Sequence, residues 1–238
     1  MTAGINNPPV KSGCIGADHL TELWTKEEWY WWHVNKRRIV FRLMDRYASN
    51  SFSVLEIGVG AGLVSALIRN RGHAVVGADV DPAPLGLART RGVDTTVCFD
   101  AGAPWPLGDG SFDLVVMLDV LEHVADDVGC LREALRALKP GGVCILTVPA
   151  HPFLYSAWDR ALNHHRRYSW SSLRDKASLA GFRTTMRSYW NLAAFFPALV
   201  LRGASRIFSI ELQAAEFPDV PAWVNDFLKF CGWLEAAI

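Results

Sequence analysis

The sequence predicts a doubly wound α/β protein: a mostly parallel sheet of six to seven strands, helices on both faces, and a helical segment ahead of it. Three observations lead there. Short apolar runs (SVLEI, AVVGA, FDLVVML, VCILTV) alternate with helical segments between residues 52 and 148. The runs carry apolar residues at successive positions, as strands buried on both faces do. A glycine cluster joins the first run to the helix that follows it.

The elements follow in chain order. Residues 1–17 show no periodicity and read as a disordered lead-in. Residues 18–48 read as a helical lid. Thr25 and Glu28 have capping-box spacing, so a main helix is expected to start there after a shorter one at 18–24. Trp32, Ile39, Val40, Leu43, Met44 and Tyr47 form its apolar stripe, and Trp24, Trp29, Trp31 and Trp32 cluster in this segment. Strands are expected at 52–57, 73–78, 95–99, 112–118 and 143–148, with helices through Asn70, through Arg91 and over 126–138. Lys139-Pro140-Gly141-Gly142 stops the last of these. A polar and aromatic loop (150–170) precedes a helix at 170–180 that Gly181 ends. A sixth strand at 182–189 and helices at 191–209 and 220–236 complete the reading. The core spans 49–190 and a helical extension 191–238. The expected strand order is 3-2-1-4-5, with 182–189 beyond the fifth.

Composition narrows the function. The chain has 238 residues, 50% hydrophobic and 20% charged, enough for a sizeable core without disulfides or metal. Lys+Arg and Asp+Glu are 24 each, so no net field holds a nucleic-acid backbone. The five cysteines lack the close spacing of zinc or redox motifs; Cys98 and Cys144 read as core fillers. The N-terminus lacks a signal-peptide run. The apolar run Leu192–Leu201 spans only 10 residues and contains Pro197, too short for a bilayer. A cytoplasmic protein is expected, monomer or homodimer, with peripheral lipid contact left open.

The glycine segment runs Glu56-Ile57-Gly58-Val59-Gly60-Ala61-Gly62. Glycines let backbone approach a ligand closely, and the following helix aims its N-terminus there. The dinucleotide pattern G-x-G-x-x-G fails, because Leu63 stands at its third glycine. This disfavours a nicotinamide oxidoreductase. Asp79, at the end of the second strand, is placed to accept ribose hydroxyls, and Asp100, at the end of the third, an adenine amino group.

Taken together, VLEIGVGAG, VVGADVDP, CFDA, SFDLVVMLDVLEHV and LKPGGVCILTVP resemble, in order and spacing, the motifs of class I S-adenosylmethionine-dependent methyltransferases. The resemblance covers about residues 53–149. It implies a Rossmann-like methyltransferase fold that binds S-adenosyl-L-methionine and releases S-adenosyl-L-homocysteine. It implies that Glu56, Gly58, Gly60 and Gly62 hold the methionine portion, Asp79 with Val80 the ribose, and Asp100 with Ala101 the adenine. Leu118 and Asp119 would line the sulfonium side. The flanks WYWWHVNKRR and WDRALNHHRRYS resemble a narrower bacterial subset acting on small molecules. Members usually add a seventh, antiparallel strand; none is visible here, so the chain is shortened or its sheet edge unusual.

Methyl transfer needs a positioned nucleophile and, for some acceptors, a base. His164 is the first candidate base and His165 the second, because imidazole titrates near working pH. Arg166 and Arg167 are candidates to clamp an anionic group, against the reading that they pair with Asp159 or Asp175. Trp32, His123, Tyr155 and Tyr168 are candidate acceptor contacts, and Arg37 is the choice to face the cofactor carboxylate. No metal is assigned. The alternative, by resemblance to O-methyltransferases of vicinal hydroxyls, is Mg²⁺ on Asp119, Glu122 and His123, with His164 or His165 as a later ligand. The leading function is a methyltransferase of a small, partly hydrophobic or aromatic acceptor at O, N or C, with no nucleic-acid partner. A non-catalytic module binding the same cofactor is the other reading.

Overall fold

The computed structural model describes residues 17–47, 52–197, 199–200 and 218–237. Five strands form one parallel sheet: β1 (Ser53–Ile57), β2 (Ala74–Asp79), β3 (Thr95–Cys98), β4 (Phe112–Leu118) and β5 (Leu138–Thr147). Their order is β3-β2-β1-β4-β5, so the topology reverses between β1 and β4. At such a switch point the connections leave on opposite faces and open a crevice at the carboxyl ends.

β4 shows why the sheet is central. Leu114, Val116 and Leu118 join Val54, Val40, Met44 and Ile68 in one cluster. Val115 and Met117, the alternate residues, join Leu55, Ile57, Leu131 and Ala134 in the other. Side chains alternate across a strand, so an unbroken apolar run supplies both layers. The first layer holds α2 (Trp31–Tyr47) and α3 (Leu63–Asn70), the second α5 (Asp127–Ala137) and α7 (Trp170–Ala180), while α4 (Pro82–Thr90) follows β2. Gly181 ends α7 at φ 103° as the sequence requires.

Several expectations are corrected. No sixth or seventh strand forms among the described residues. After Gly181, residues 183–189 are exposed and carry no regular secondary structure, with no strand among the described residues paired to them. The helix break in the lid falls at 27–30, between α1 (Ala17–Lys26) and α2, not at Thr25. The Thr25 hydroxyl donates to the Glu22 carbonyl inside α1, so no capping box forms there. Cys98 is exposed because β3 is the sheet edge; Cys144 is partly buried, as a core position requires. The lead-in up to residue 16, and the expected helix beyond residue 200, lie outside the described residues.

The C-terminal helix α8 (Ala222–Ala237) packs on α2. Gly232 makes this possible: a Cβ there would come within 2.1 Å of the Asn35 side chain. Asn35 in turn donates to the Leu228 carbonyl at 3.0 Å, and Tyr30 to that of Pro218 at 2.9 Å. α6 (Ala157–Ala161) lies within the 150–170 loop. Among the described residues, no helix is long and apolar enough to cross a membrane.

Candidate active site

The crevice carries two unlike walls. The first is built on backbone. Gly58, Gly60 and Gly62 all have positive φ, at 72°, 54° and 86°. Two of them are fixed by packing. A Cβ on Gly58 would stand 2.5 Å from Val120 Cγ2, and one on Gly62 2.5 Å from Ala88 Cα. Around Gly60 nothing lies within 4 Å, so there the missing side chain leaves room in the crevice itself.

Asp79 closes β2 beside this turn, 7% exposed. Its carboxylate accepts from the amides of Asp81 at 3.1 Å and Gly60 at 3.4 Å. Burial raises its pKa to about 6 despite these bonds. Asp100 follows β3, is exposed, and accepts from the Gly102 amide at 2.8 Å. Glu56 is buried in β1, where it accepts from the Ser65 hydroxyl and burial lifts it to about 8. A cationic group docked against Glu56 would restore its charge.

The second wall is built from side chains of distant segments. Asp119 takes φ 56° directly after β4. It receives the Lys36 ammonium at 2.9 Å and the Thr147 hydroxyl at 2.8 Å. Burial pushes its carboxyl up, but the Lys36 charge, the hydrogen bonds from Lys36 and Thr147 and the nearby His164 together outweigh this, leaving it below its usual value. A single turn (Leu121–His123) then places Glu122 and His123. Glu122 is fully buried, and neither carboxylate oxygen has a hydrogen-bond partner on another described residue. Burial, then the nearby Asp119, holds it well above the usual carboxylate range. His123 Nδ1 is likewise buried and unpartnered. Burial, then the adjacent His164, depresses His123 to about 4.

His164 comes from the loop after α6, its ring edge-on to His123 with centroids 4.7 Å apart. Its Nδ1 lies 3.2 Å from Asp159 Oδ1. One candidate ligand atom from each of Glu122, His123 and His164 lies within 4.8 Å of the other two. Trp32 and Trp190, 4.8 Å apart, and the stacked His151 and Tyr189 line an aromatic stretch of the same cleft. The cleft encloses about 2460 Å³. Typical pockets hold roughly 300–1,000 Å³, so a cofactor and a second molecule both have room.

Comparison with known proteins agrees with this geometry. Residues 55–146 match the methyltransferase domain family. A Mycolicibacterium smegmatis protein named as a probable S-adenosylmethionine-dependent methyltransferase is 33% identical over 159 residues, covering 66% of this chain and 60% of that protein. Residues 55–146 are a methyltransferase domain of the class I S-adenosylmethionine-dependent type. The ubiquinone biosynthesis O-methyltransferase of Pseudomonas paraeruginosa is 36% identical over 109 residues, 43% of this chain and 47% of that enzyme. The chain thus spans about half to three-fifths of the length of these relatives. A solved S-adenosylmethionine-dependent methyltransferase of Thermotoga maritima superposes with TM-score 0.52 at 27% identity, over 70% of this chain and 81% of that one. The phosphoethanolamine N-methyltransferase 2 of Haemonchus contortus, solved with S-adenosyl-L-methionine, shares the fold. Its TM-score is 0.57 at 21% identity, over 83% of this chain and 48% of that one.

Within the methyltransferase core, Glu56, Gly58, Gly60, Asp79, Val80, Asp100, Ala101 and Leu118 all line the cleft. Gly62 lies behind them against Ala88. The flanking candidates divide. His164 and His123 face each other, whereas His165 is exposed and only its amide is engaged, donating to the Glu122 carbonyl at 2.8 Å. Arg166 spends its guanidinium on Asp127 (2.6 Å) and the Ala125 carbonyl (2.9 Å). Arg167 spends its own on Asp159 (2.7 Å) and the Ala150 carbonyl (3.2 Å). Tyr168 is buried, bonded to Asp127 at 2.9 Å, and the Tyr155 hydroxyl donates to the His164 carbonyl at 2.8 Å. Arg37 donates to the carbonyls of Glu27 and Glu28, so Lys36 is the lid cation that reaches the crevice. The sequence reading chooses Arg37 over Lys36 and sees Asp159 as an arginine partner, without its hold on His164. Asp159 had a signal in its Ser156 partner, since its carboxylate accepts the Ser156 amide at 2.9 Å and caps α6.

Proposed function

We propose that this chain is an S-adenosylmethionine-dependent methyltransferase of a small, partly aromatic or apolar acceptor, with oxygen as the favoured acceptor atom. The observation that carries the reading is the division of one crevice into a backbone-built wall and a wall of titratable side chains. The glycine turn, Asp79 and Asp100 supply contacts for the methionine, ribose and adenine portions, in the order of β1, β2 and β3. Glu56, buried beside the turn, suits a cationic amino group. The sulfonium then faces Leu118 and Asp119, with Glu122, His123 and His164 beyond.

The electrophile arrives activated, so the protein chiefly aligns the acceptor for in-line attack. The acceptor oxygen bonds to the methyl carbon, the carbon–sulfur bond breaks, and its electron pair stays on sulfur. The acceptor hydroxyl faces the Glu122–His123–His164 cluster, which promotes loss of its proton to solvent. Trp32, Trp190 and Tyr189 favour an acceptor with an apolar or aromatic body. Oxygen is supported by the similarity to ubiquinone biosynthesis O-methyltransferases. The lid (18–48) and the 150–170 loop form the acceptor side, and 49–190 the cofactor-binding core.

Incubating the purified protein and trideuteromethyl-labelled S-adenosylmethionine with a cellular metabolite extract tests this. Mass spectrometry should find an acceptor carrying the labelled methyl, with equimolar S-adenosylhomocysteine. Cofactor binding with no labelled product across extracts would instead support a non-catalytic binding module.

A further inference from the structure

We infer that Glu122, His123 and His164 form a three-ligand site for a divalent transition-metal ion of the zinc type, whose open position takes the acceptor oxygen. The inference rests on the methyltransferase reading for what the ion would do, but on this chain's own geometry for its place.

The donor atoms lie within 4.8 Å of one another. An ion about 2.0–2.2 Å from each would set them roughly 3–4 Å apart, so small side-chain rotations close the site. Glu122 is the independent observation. Its carboxylate is wholly removed from solvent, yet no neighbouring described residue bonds to either oxygen. Such a group is costly unless something unseen in the protein's own atoms satisfies it.

The two rings point the same way. His164 Nδ1 is committed to Asp159, which is itself fixed by Arg167 and by the Ser156 amide. The Asn163 backbone carbonyl acts as a hydrogen-bond acceptor on the His123 ring, leaving its buried Nδ1 without a partner. Each ring therefore has one nitrogen held and one to offer, which is how metal-binding histidines are oriented by their surroundings.

The donor set decides the ion. Two imidazoles and one carboxylate suit zinc, iron or manganese, whereas magnesium wants oxygen ligands and keeps most of its waters. Asp119, the acid that would have favoured magnesium, is occupied by Lys36 and Thr147, and His164 stands in its place. Three protein ligands leave a position open, as in catalytic rather than structural zinc sites. A hydroxyl bound there loses its proton to solvent at neutral pH, and its oxygen becomes the nucleophile for the methyl carbon. An acceptor with a hydroxyl on an aromatic ring fits both this site and the aromatic wall.

The experiment needs no acceptor. The purified protein is treated with chelator, then titrated with Zn²⁺ against a chromophoric competitor, and with Co²⁺ while recording visible absorption. One ion per chain is expected, with the intense visible bands of low-coordinate cobalt. Glu122→Gln, which keeps shape, and His164→Ala should each weaken binding at least 100-fold. Asp159→Asn should weaken it about 10–100-fold through His164. His73→Ala, at the far end of β2, should leave it unchanged. Circular dichroism and S-adenosylhomocysteine affinity, measured on every variant, establish that the fold and cofactor wall persist. Absence of stoichiometric Zn²⁺ or Co²⁺ binding, binding indifferent to Glu122→Gln and His164→Ala, or preference for Mg²⁺ would each overturn the inference. Retained cofactor affinity in that case leaves the methyltransferase reading standing, whereas loss of cofactor binding in the wild type strikes that reading and not the metal site.

Discussion

The two walls of the crevice differ in how they are made. The proposed cofactor wall is a turn of main chain and two strand-end aspartates, all within residues 56–101. The acceptor wall joins Lys36 from the lid, Asp119 to His123 after β4, and Asp159 to Arg167 from a later loop. A backbone-built wall announces itself locally, since positive φ and close approach demand glycine at fixed spacing. A wall of side chains depends on tertiary contacts between segments up to about 130 residues apart, and no local pattern encodes those.

The sharpest way to separate packing from ligand space within the cofactor wall is to compare its glycines. Gly62→Val drives a branched side chain into Ala88 at positive φ. Overpacking and left-handed backbone together should cost about 3 kcal/mol or more, read as a large drop in denaturant midpoint. Gly60→Ala meets nothing within 4 Å and should cost only about 1–2 kcal/mol, while lowering cofactor affinity because its methyl enters the crevice. Equal stability losses in the two variants would break the distinction.

On the acceptor side, Arg166→Ala removes a buttress for the buried Asp127 and leaves it Lys176 and Tyr168. A loss of about 1–3 kcal/mol in stability is expected, with cofactor affinity unchanged. Weakened acceptor binding at unchanged stability would instead return Arg166 to the role the sequence suggests.

Asp79 tests the cofactor wall by charge. Asp79→Ala removes the proposed acceptor for two ribose hydroxyls and should reduce S-adenosylmethionine affinity at least tenfold, about 1.4 kcal/mol, by calorimetry. The smallest effect is in pH. Burial raises the Asp79 carboxyl to about 6, so it is charged above that value and neutral below. Affinity should show a decline as pH falls through about 6, separate from any change that Glu56, lifted to about 8, brings above pH 7. An Asp79→Asn variant should lose this decline.

The same contrast explains what the sequence does and does not disclose. β4 reads correctly because Leu114 to Leu118 are apolar without interruption, and the strand order follows from the parallel crossovers. Residues 182–189 carry strand-like side chains, but strand formation is a property of a pair, and no strand among the described residues pairs with them. Arg166 looks like an anion ligand because a charged run carries no sign of Asp127, 39 residues earlier, whereas the pairing of Arg167 with Asp159, 8 residues earlier, is local enough to be among the readings the sequence offers. Cys98 looks like core because apolar composition does not say which strand lies at the edge. His164 is visible as a candidate base and, beside His165, as a later ligand to Glu122 and His123; which of the two histidines faces them is not, since it depends on the path of the loop after α6.

On the proposed function the glycine turn and Asp79 hold the cofactor with its sulfur toward the Glu122–His123–His164 wall. The crystal structure of the protein with S-adenosylhomocysteine tests it most directly. The account requires both ribose hydroxyls at about 2.6–3.0 Å from Asp79 and the adenine beside Asp100. The sulfur should face Leu118 and Asp119, open to His164. A ligand with its ribose away from Asp79, or with its sulfur turned from that wall, would contradict it.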